Sequence, residues 1–394
     1  MGFSLFLIIS VGLLFYFLAT RFKLPGLIGF LATGVILGPY GLNLLDETLL
    51  MISGDLRDIA LVVILLRAGL GLNLSVIKRI GHRAILLSII PVLLEGFTLV
   101  ILTYLLLDFS LVEAGLLGFI IAAVSPAVIV PSMLRLQKEG LGKSRFVPSL
   151  ILASASMDDI VAITIFSAFV SVYTNQQLIL SEFVINVPFS IVLGIIVGVM
   201  SGLLLMKLFT KFHIRDTKKI LLLIAFGLFI IQGSNWLKDT VSFSGLLAIM
   251  VIGIVMVEKK AVLASRLAIK FDKIWVLFEL ILFVLVGALV NIQIAFDSGL
   301  IGLIIISLGL MARLLGVYIS LIKSVYLLKE KYFIMMSFIP KATVQAALGS
   351  VPLMLGVPNG DYILALSVLS IIFTAPLGAL LIQYFQKKLL SVSS

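Results

Sequence analysis

The sequence predicts an all-α polytopic membrane protein of about 13 transmembrane helices, arranged as inverted repeats with two broken, crossing helices. Three observations carry that reading. The 394 residues are 61% hydrophobic and only 12% charged, with a mean hydropathy of +1.27, against about 25% charged residues in soluble domains. The apolar residues come in near-continuous runs of helix-spanning length, whereas a transmembrane barrel would show alternating strands of about ten residues. Finally, the basic residues collect on alternate connections between the runs.

The runs lie at about residues 2–20, 25–43, 58–77, 84–107, 113–134, 147–173, 184–206, 220–236, 240–257, 273–292, 299–321, 332–351 and 360–385. The first, GFSLFLIISVGLLFYFLA, has neither a basic stretch before it nor a small-residue cleavage site, and Arg21 and Lys23 follow it, so it reads as a retained helix and not a signal peptide. Connections after odd-numbered runs, with the C-terminus, hold 24 of the 29 Lys and Arg, whereas those after even-numbered runs hold only Arg57 and Lys238. The positive-inside rule then sets the N-terminus outside and the C-terminus in the cytoplasm, as expected of a multi-pass protein of the cell (inner) membrane. The net charge of +10 is on this reading a signal of topology, and no nucleic-acid partner is implied. The absence of cysteine excludes disulfides, thiolate metal sites and cysteine nucleophiles. The longest polar interruptions, near residues 137–146 and 207–219, are short connections, so residues 1–394 read as one membrane domain in contact with the lipid bilayer.

With the connections set aside, Arg67, Glu95, Asp158, Asp159, Arg313 and Lys341 remain deep inside the runs, and Glu279 lies nearer a cytoplasmic end. A charge at mid-membrane costs at least about 2.5–3.5 kcal/mol, so such residues need pairing, water access or a function. Run three carries Arg67 in ILLRAGLG, where packing or gating is the simplest role, and run four carries Glu95, an acid in need of a partner. Run five contains AAVSPAVIVPSM, in which Pro126 and Pro131 each remove a backbone donor and disturb the preceding turn. Run six holds ASASMDDIVAI. Adjacent helical residues are about 100° apart, so Asp158 and Asp159 cannot both serve one partner: one can pair with a base while the other faces a cavity. A carboxylate so placed can exchange a proton for a small cation, and Ser154 and Ser156 add oxygen ligands. Run eleven supplies Arg313, and run twelve, SFIPKATVQAALG, sets Pro340 beside Lys341 with Thr343 and Gln345 close by.

Unwound backbone within a membrane is tolerated only where it is buried or lines a cavity. The broken runs are numbers five and twelve, an odd offset of seven, which makes residues 1–173 and 220–385 inverted repeats about a linker helix at 184–206. That is the pattern of a secondary transporter with its ion site at mid-membrane.

SPAVIVPSM (125–133), ASASMDDIVAI (153–163) and PKATVQAALG (340–349), together with RAGLGLN (67–73), closely resemble the sodium/proton antiporters of the monovalent cation:proton antiporter superfamily, in the branch of the animal sodium/proton exchanger-like antiporters and their bacterial relatives. The order of the segments extends the resemblance over almost the whole chain. It implies the sodium/proton antiporter fold, exchange of Na⁺ or Li⁺ for H⁺ by alternating access, no cofactor, and a homodimer whose core moves like an elevator. It also implies roles for single residues. Asp159 matches the aspartate that binds proton or sodium, Asp158 its preceding neighbour, and Arg313 the base near the pair. Glu95 and Lys341 match a core ion pair. Ser125 falls where related branches carry an aspartate, so the ion-binding set becomes Asp159, Asp158, Ser125 and Ser154, helped by carbonyls freed at the breaks. Na⁺ or Li⁺ is on this reading a substrate and not a structural metal. Other readings are a K⁺/H⁺ antiporter, or a cation-coupled organic solute symporter, which would share crossed helices but not the acid pair with Arg313. An intramembrane aspartyl protease needs its two aspartates on different helices.

Overall fold

The computed structural model describes residues 1–22, 24–71, 81–174, 180–212, 214–237, 243–297 and 299–391, with the side chains of 143, 156, 180–188, 235, 295 and 297 left aside. Lys23, Lys78, Arg79 and Lys238 of the charge pattern, the end of the RAGLGLN motif and the hydroxyl of Ser156 lie outside the described residues. In chain order the helices are α1 (Gly2–Arg21), α2 (Gly26–Leu37), α3 (Glu47–Met51), α4 (Ser53–Leu70), α5 (His82–Leu106), α6 (Leu111–Ala122), α7 (Pro126–Glu139), α8 (Val147–Thr174) and α9 (Leu180–Lys211). They continue as α10 (Asp216–Leu237), α11 (Gly245–Lys259), α12 (Ala261–Ala288), α13 (Ile292–Asp297), α14 (Gly299–Ser320), α15 (Leu328–Ser337), α16 (Thr343–Gly349), α17 (Val351–Met354) and α18 (Gly360–Leu389).

Each of the thirteen apolar runs contains helix, and among the described residues eight stretches are long and apolar enough to cross a membrane. α2 and Thr343–Met354 are apolar but shorter. The chain forms two compact units: Met1–Ser53, Ser75–Ala162 and Leu280–Ser394 make the first, and Gly54–Leu74 with Ile163–Glu279 the second. Within the first, α14 and α6 pack along α5, α1 lies on α2, and α18 packs on α15 and α16; within the second, α9 and α10 pack on α11.

Local chemistry sets the helix ends and the contacts that position the site. Ser110 and Glu113 form a capping box at the start of α6, Ser110 Oγ accepting from the Glu113 N–H (3.3 Å) and Glu113 Oε2 from the Ser110 N–H (2.7 Å). Every residue of α6 from Val112 to Ala122 is buried, so this helix is surrounded by protein. Hydroxyls in the apolar interior satisfy themselves on the preceding turn, as Thr103 does on Leu99 O, Ser154 on Leu150 O and Ser367 on Ile363 O. α5 and α14 are locked in register: Arg83 donates to the carbonyls of Ser320 (3.0 Å) and Lys323 (2.9 Å) at the end of α14, and Ser320 Oγ donates to Leu86 O (3.1 Å). These two helices carry Glu95 and Arg313, so the clamp fixes one relative to the other.

Where helices approach more closely than a side chain allows, glycine is required. A Cβ on Gly34 of α2 would stand 2.0 Å from Val284 O of α12, and one on Gly287 of α12 would stand 2.3 Å from Leu31 O of α2. This is the small-residue contact by which helices in lipid gain packing without a hydrophobic driving force. Gly34→Ala is expected to lower stability by about 1–3 kcal/mol through overpacking, read as a lower melting temperature in detergent. Gly299→Ala, where a Cβ meets nothing within 4 Å, should leave the melt unchanged or slightly raised.

Candidate functional site

The site begins with two interruptions of helix. α6 stops at Ala122, and Ala123 and Ser125 are extended (φ −69°, ψ 141° and φ −94°, ψ 111°) before α7 starts at Pro126. Proline disfavours helical geometry at the residue before it, and at the first helical position its missing N–H costs nothing. In the same way α15 ends at Ser337, the chain runs unwound through Pro340 and Lys341, and α16 starts at Thr343. The breaks meet: the Ser125 N–H donates to Pro340 O (2.8 Å), and Ser125 Oγ lies 3.4 Å from Thr343 Oγ1. Pro126 and Pro340 therefore mark breaks as the sequence predicts. Pro131 does not, because α7 runs through it unbroken from Pro126 to Glu139.

Four fully buried charges converge on this crossing. Arg313 Nη1 donates to Glu95 Oε2 (2.7 Å) and to Ala122 O, and its Nη2 donates to Asp158 Oδ1 (2.5 Å). Lys341 Nζ donates to the same Glu95 Oε2 (2.6 Å) and to Ala122 O (3.3 Å). The second oxygen of Asp158, Oδ2, accepts from the Val124 N–H (2.8 Å), so both its oxygens are engaged. The guanidinium also lies 5.5 Å from the Phe338 ring centroid. Two carboxylates and two bases balance, and backbone groups add bonds to Arg313, Lys341 and Asp158. Only such geometry offsets the desolvation of four ions.

The carbonyl end of α6 is covered as well. Gln345 Nε2 donates to Ile120 O (2.9 Å), Ile121 O (3.2 Å) and Ala123 O (2.8 Å), while Arg313 and Lys341 share Ala122 O. Thr374 of α18 accepts the Lys341 N–H (2.9 Å). The sequence places Gln345 beside the break but assigns it no role, and Thr374 carries no local signal at all.

Of the residues singled out in the sequence, Asp158, Glu95, Arg313, Lys341 and Ser125 are brought together. Glu95 has Arg313 as well as the expected Lys341. Asp159, on the next position of α8, is buried at 6% exposure. Ser154 lies one turn before Asp158 and uses its hydroxyl proton on Leu150 O (2.5 Å). Arg67 does not join the four-charge network. α4 ends at Leu70, so Arg67 sits in its last turn, where Nε donates to Asp272 Oδ1 (2.6 Å) and the guanidinium lies 5.7 Å from the Trp275 ring centroid.

A family model described as "Sodium/hydrogen exchanger, transmembrane" matches residues 6–387. The chain belongs to the sodium/hydrogen exchanger family. Among members of that family, sodium/hydrogen exchanger 9B2 of Homo sapiens is 34% identical over 396 residues, covering 95% of this chain and 71% of that one. Sodium/hydrogen exchanger 9B2 of Xenopus tropicalis is 34% identical over 358 residues, covering 86% and 65%. The chain thus spans about two thirds of the length of these exchangers. A solved structure of the sodium proton antiporter from Methanocaldococcus jannaschii superposes with a TM-score of 0.82 over 98% of both chains at 20% identity, a likeness of fold.

The network makes a stability prediction for this exchanger-family chain. Glu95→Leu leaves Asp158 as the one carboxylate of the network for Arg313 and Lys341, and is expected to cost about 3–5 kcal/mol. Glu95→Leu combined with Lys341→Met restores balance around Arg313 and Asp158, and should melt at a higher temperature in detergent than Glu95→Leu alone.

Proposed function

We propose that this exchanger-family protein is a secondary active antiporter in which Na⁺ (or Li⁺) and H⁺ compete for Asp159 at the crossing of the two broken helices. The observation that carries this assignment is the full engagement of Asp158, held by Arg313 on one oxygen and by the Val124 N–H on the other. A carboxylate so tied serves as a fixed counterion, and Asp159, turned about 100° around α8, is the one that matches the ion-carrying aspartate of the antiporters this sequence resembles. Cation binding displaces the proton from Asp159, and protonation displaces the cation. Either loaded form cancels the charge of that carboxylate, which is the condition for the crossing to reorient between the two sides.

The balanced network supports a one-for-one exchange. Glu95 and Asp158 are balanced by Arg313 and Lys341, so swapping one Na⁺ for one H⁺ on Asp159 moves no net charge. The cycle needs no cofactor, and it is transport, not enzymatic turnover. The same reading has residues 1–173 and 220–385 as inverted repeats about the helix at 184–206. It also sets the protein in the cell membrane as a homodimer, with its N-terminus outside and its C-terminus in the cytoplasm.

Proton movement in proteoliposomes driven by Na⁺, Li⁺ or K⁺ gradients tests the assignment. The wild-type protein is expected to respond to Na⁺ and Li⁺, at a rate that does not change when the membrane potential is clamped at different values. Asp159→Asn should abolish the response. Undiminished cation-driven proton flux in that variant would overturn the role of Asp159, and potential-dependent flux would overturn the one-for-one exchange.

A further inference from the structure

The oxygens at the crossing can be sorted by what already holds them. The carbonyls of residues 120–123 are taken by Gln345, Arg313 and Lys341, and both oxygens of Asp158 are engaged. Thr374 Oγ1 donates to Ser370 O and accepts from the Lys341 N–H, and Ser154 Oγ donates to Leu150 O. The carbonyls of residues 120–123 at the α6 break thus already accept hydrogen bonds from within the protein.

Two hydroxyls are held differently. Ser125 Oγ and Thr343 Oγ1 are buried, at 0% and 2% exposure, one on each break. The one side-chain hydrogen bond of either among the described residues is to the other, at 3.4 Å, beyond the usual range for O–H···O. Oxygen ligands of a cation the size of Ca²⁺ or Na⁺ stand about 2.4 Å away, and adjacent corners of an octahedron with such bonds are about 3.4 Å apart. The hydroxyl pair has that spacing, and the bond from the Ser125 N–H to Pro340 O (2.8 Å) holds the two strands of the crossing in place.

A second observation points the same way. Gln345, two residues beyond Thr343, and Glu95 are fully buried, and Oε1 of each has no hydrogen-bond partner among the described residues. The three carbonyls around Nε2 fix which end of the amide faces them and turn Oε1 away. Among the described residues, no three or more His, Cys, Asp or Glu gather as a metal site, so a cation here relies largely on neutral oxygens, as suits an ion released in every cycle.

We propose that Thr343 is a ligand of the transported cation, acting with Ser125 across the crossing, and that this hydroxyl pair sets the preference among alkali ions. The proposal rests on the antiport reading, in which Asp159 supplies the charge and the hydroxyls replace part of the hydration shell. Their separation selects the ion, because a larger cation needs the two oxygens further apart and a smaller one needs them closer.

The test uses the full chain. In proteoliposomes Thr343→Val, which keeps the shape and removes the hydroxyl, is expected to raise the half-saturating Na⁺ concentration roughly tenfold, the weight of one lost polar contact, and to change the Li⁺ to Na⁺ ratio. Thr343→Ser should keep both near wild type. Na⁺-dependent thermal stabilisation in detergent requires no proton flux; it should be present in wild type and Thr343→Ser and lost in Thr343→Val. Wild-type half-saturation, ion ratio and Na⁺ stabilisation in Thr343→Val overturn the proposal even where antiport itself is intact. Na⁺ stabilisation that depends on Thr343, without any proton flux, upholds the ligand and overturns the antiport reading. If Thr343→Val fails to assemble on size exclusion, Ser125→Ala carries the same measurements with the same two outcomes.

Discussion

One guanidinium joins four helices. From α14, Arg313 reaches Glu95 on α5, the last carbonyl of α6 and Asp158 on α8, with no exposed surface of its own. An ammonium in its place would offer a compact point charge, whereas the planar fork presents donors in two directions at once. The relative placement of both breaks depends on this bridge. Asp158 orients the Val124 N–H, Ser125 then reaches Pro340, and Lys341 closes the circuit back onto Glu95.

Backbone interrupted in an apolar interior leaves donors and acceptors that water cannot satisfy. Here the partition is orderly. N–H groups beyond the α6 break find a carboxylate and a carbonyl, and carbonyls before it find an amide and two cations. The negative end of the α6 dipole therefore faces Arg313 and Lys341, so the helix adds to the balance of the four charges. What looks in the sequence like an excess of buried charge is the set of partners that makes unwound backbone tolerable.

The apolar runs, the two breaks and the burial of five of the six charges are legible because hydropathy, proline and charge are local signals. The differences arise where outcome depends on remote partners. Pro126 and Pro131 look alike in the sequence, yet only at the first do Asp158 and Pro340 wait to take the groups released by unwinding. Arg67 lies within an apolar run like the other charges, yet the fold sets it in the last turn of α4 against Asp272, a partner remote in the chain. Gln345 and Thr374 are ordinary helix residues until the fold sets a carbonyl or an N–H in front of them. Near-continuous hydrophobicity also hides helix length: α2 and Thr343–Met354 are apolar but shorter than the eight stretches long enough to cross.

The separation of the paired charges along the chain bears on how the protein is made. Glu95 precedes Arg313 by 218 residues and Lys341 by 246. At about 5–20 residues per second, synthesis leaves the acid without either base for about 10–50 seconds. During that interval α5 has to wait at the insertion machinery or sit displaced towards the interface. Assembly of the crossing is thus a late event in biogenesis, reached only after α14 and the segment around Lys341 have entered the membrane.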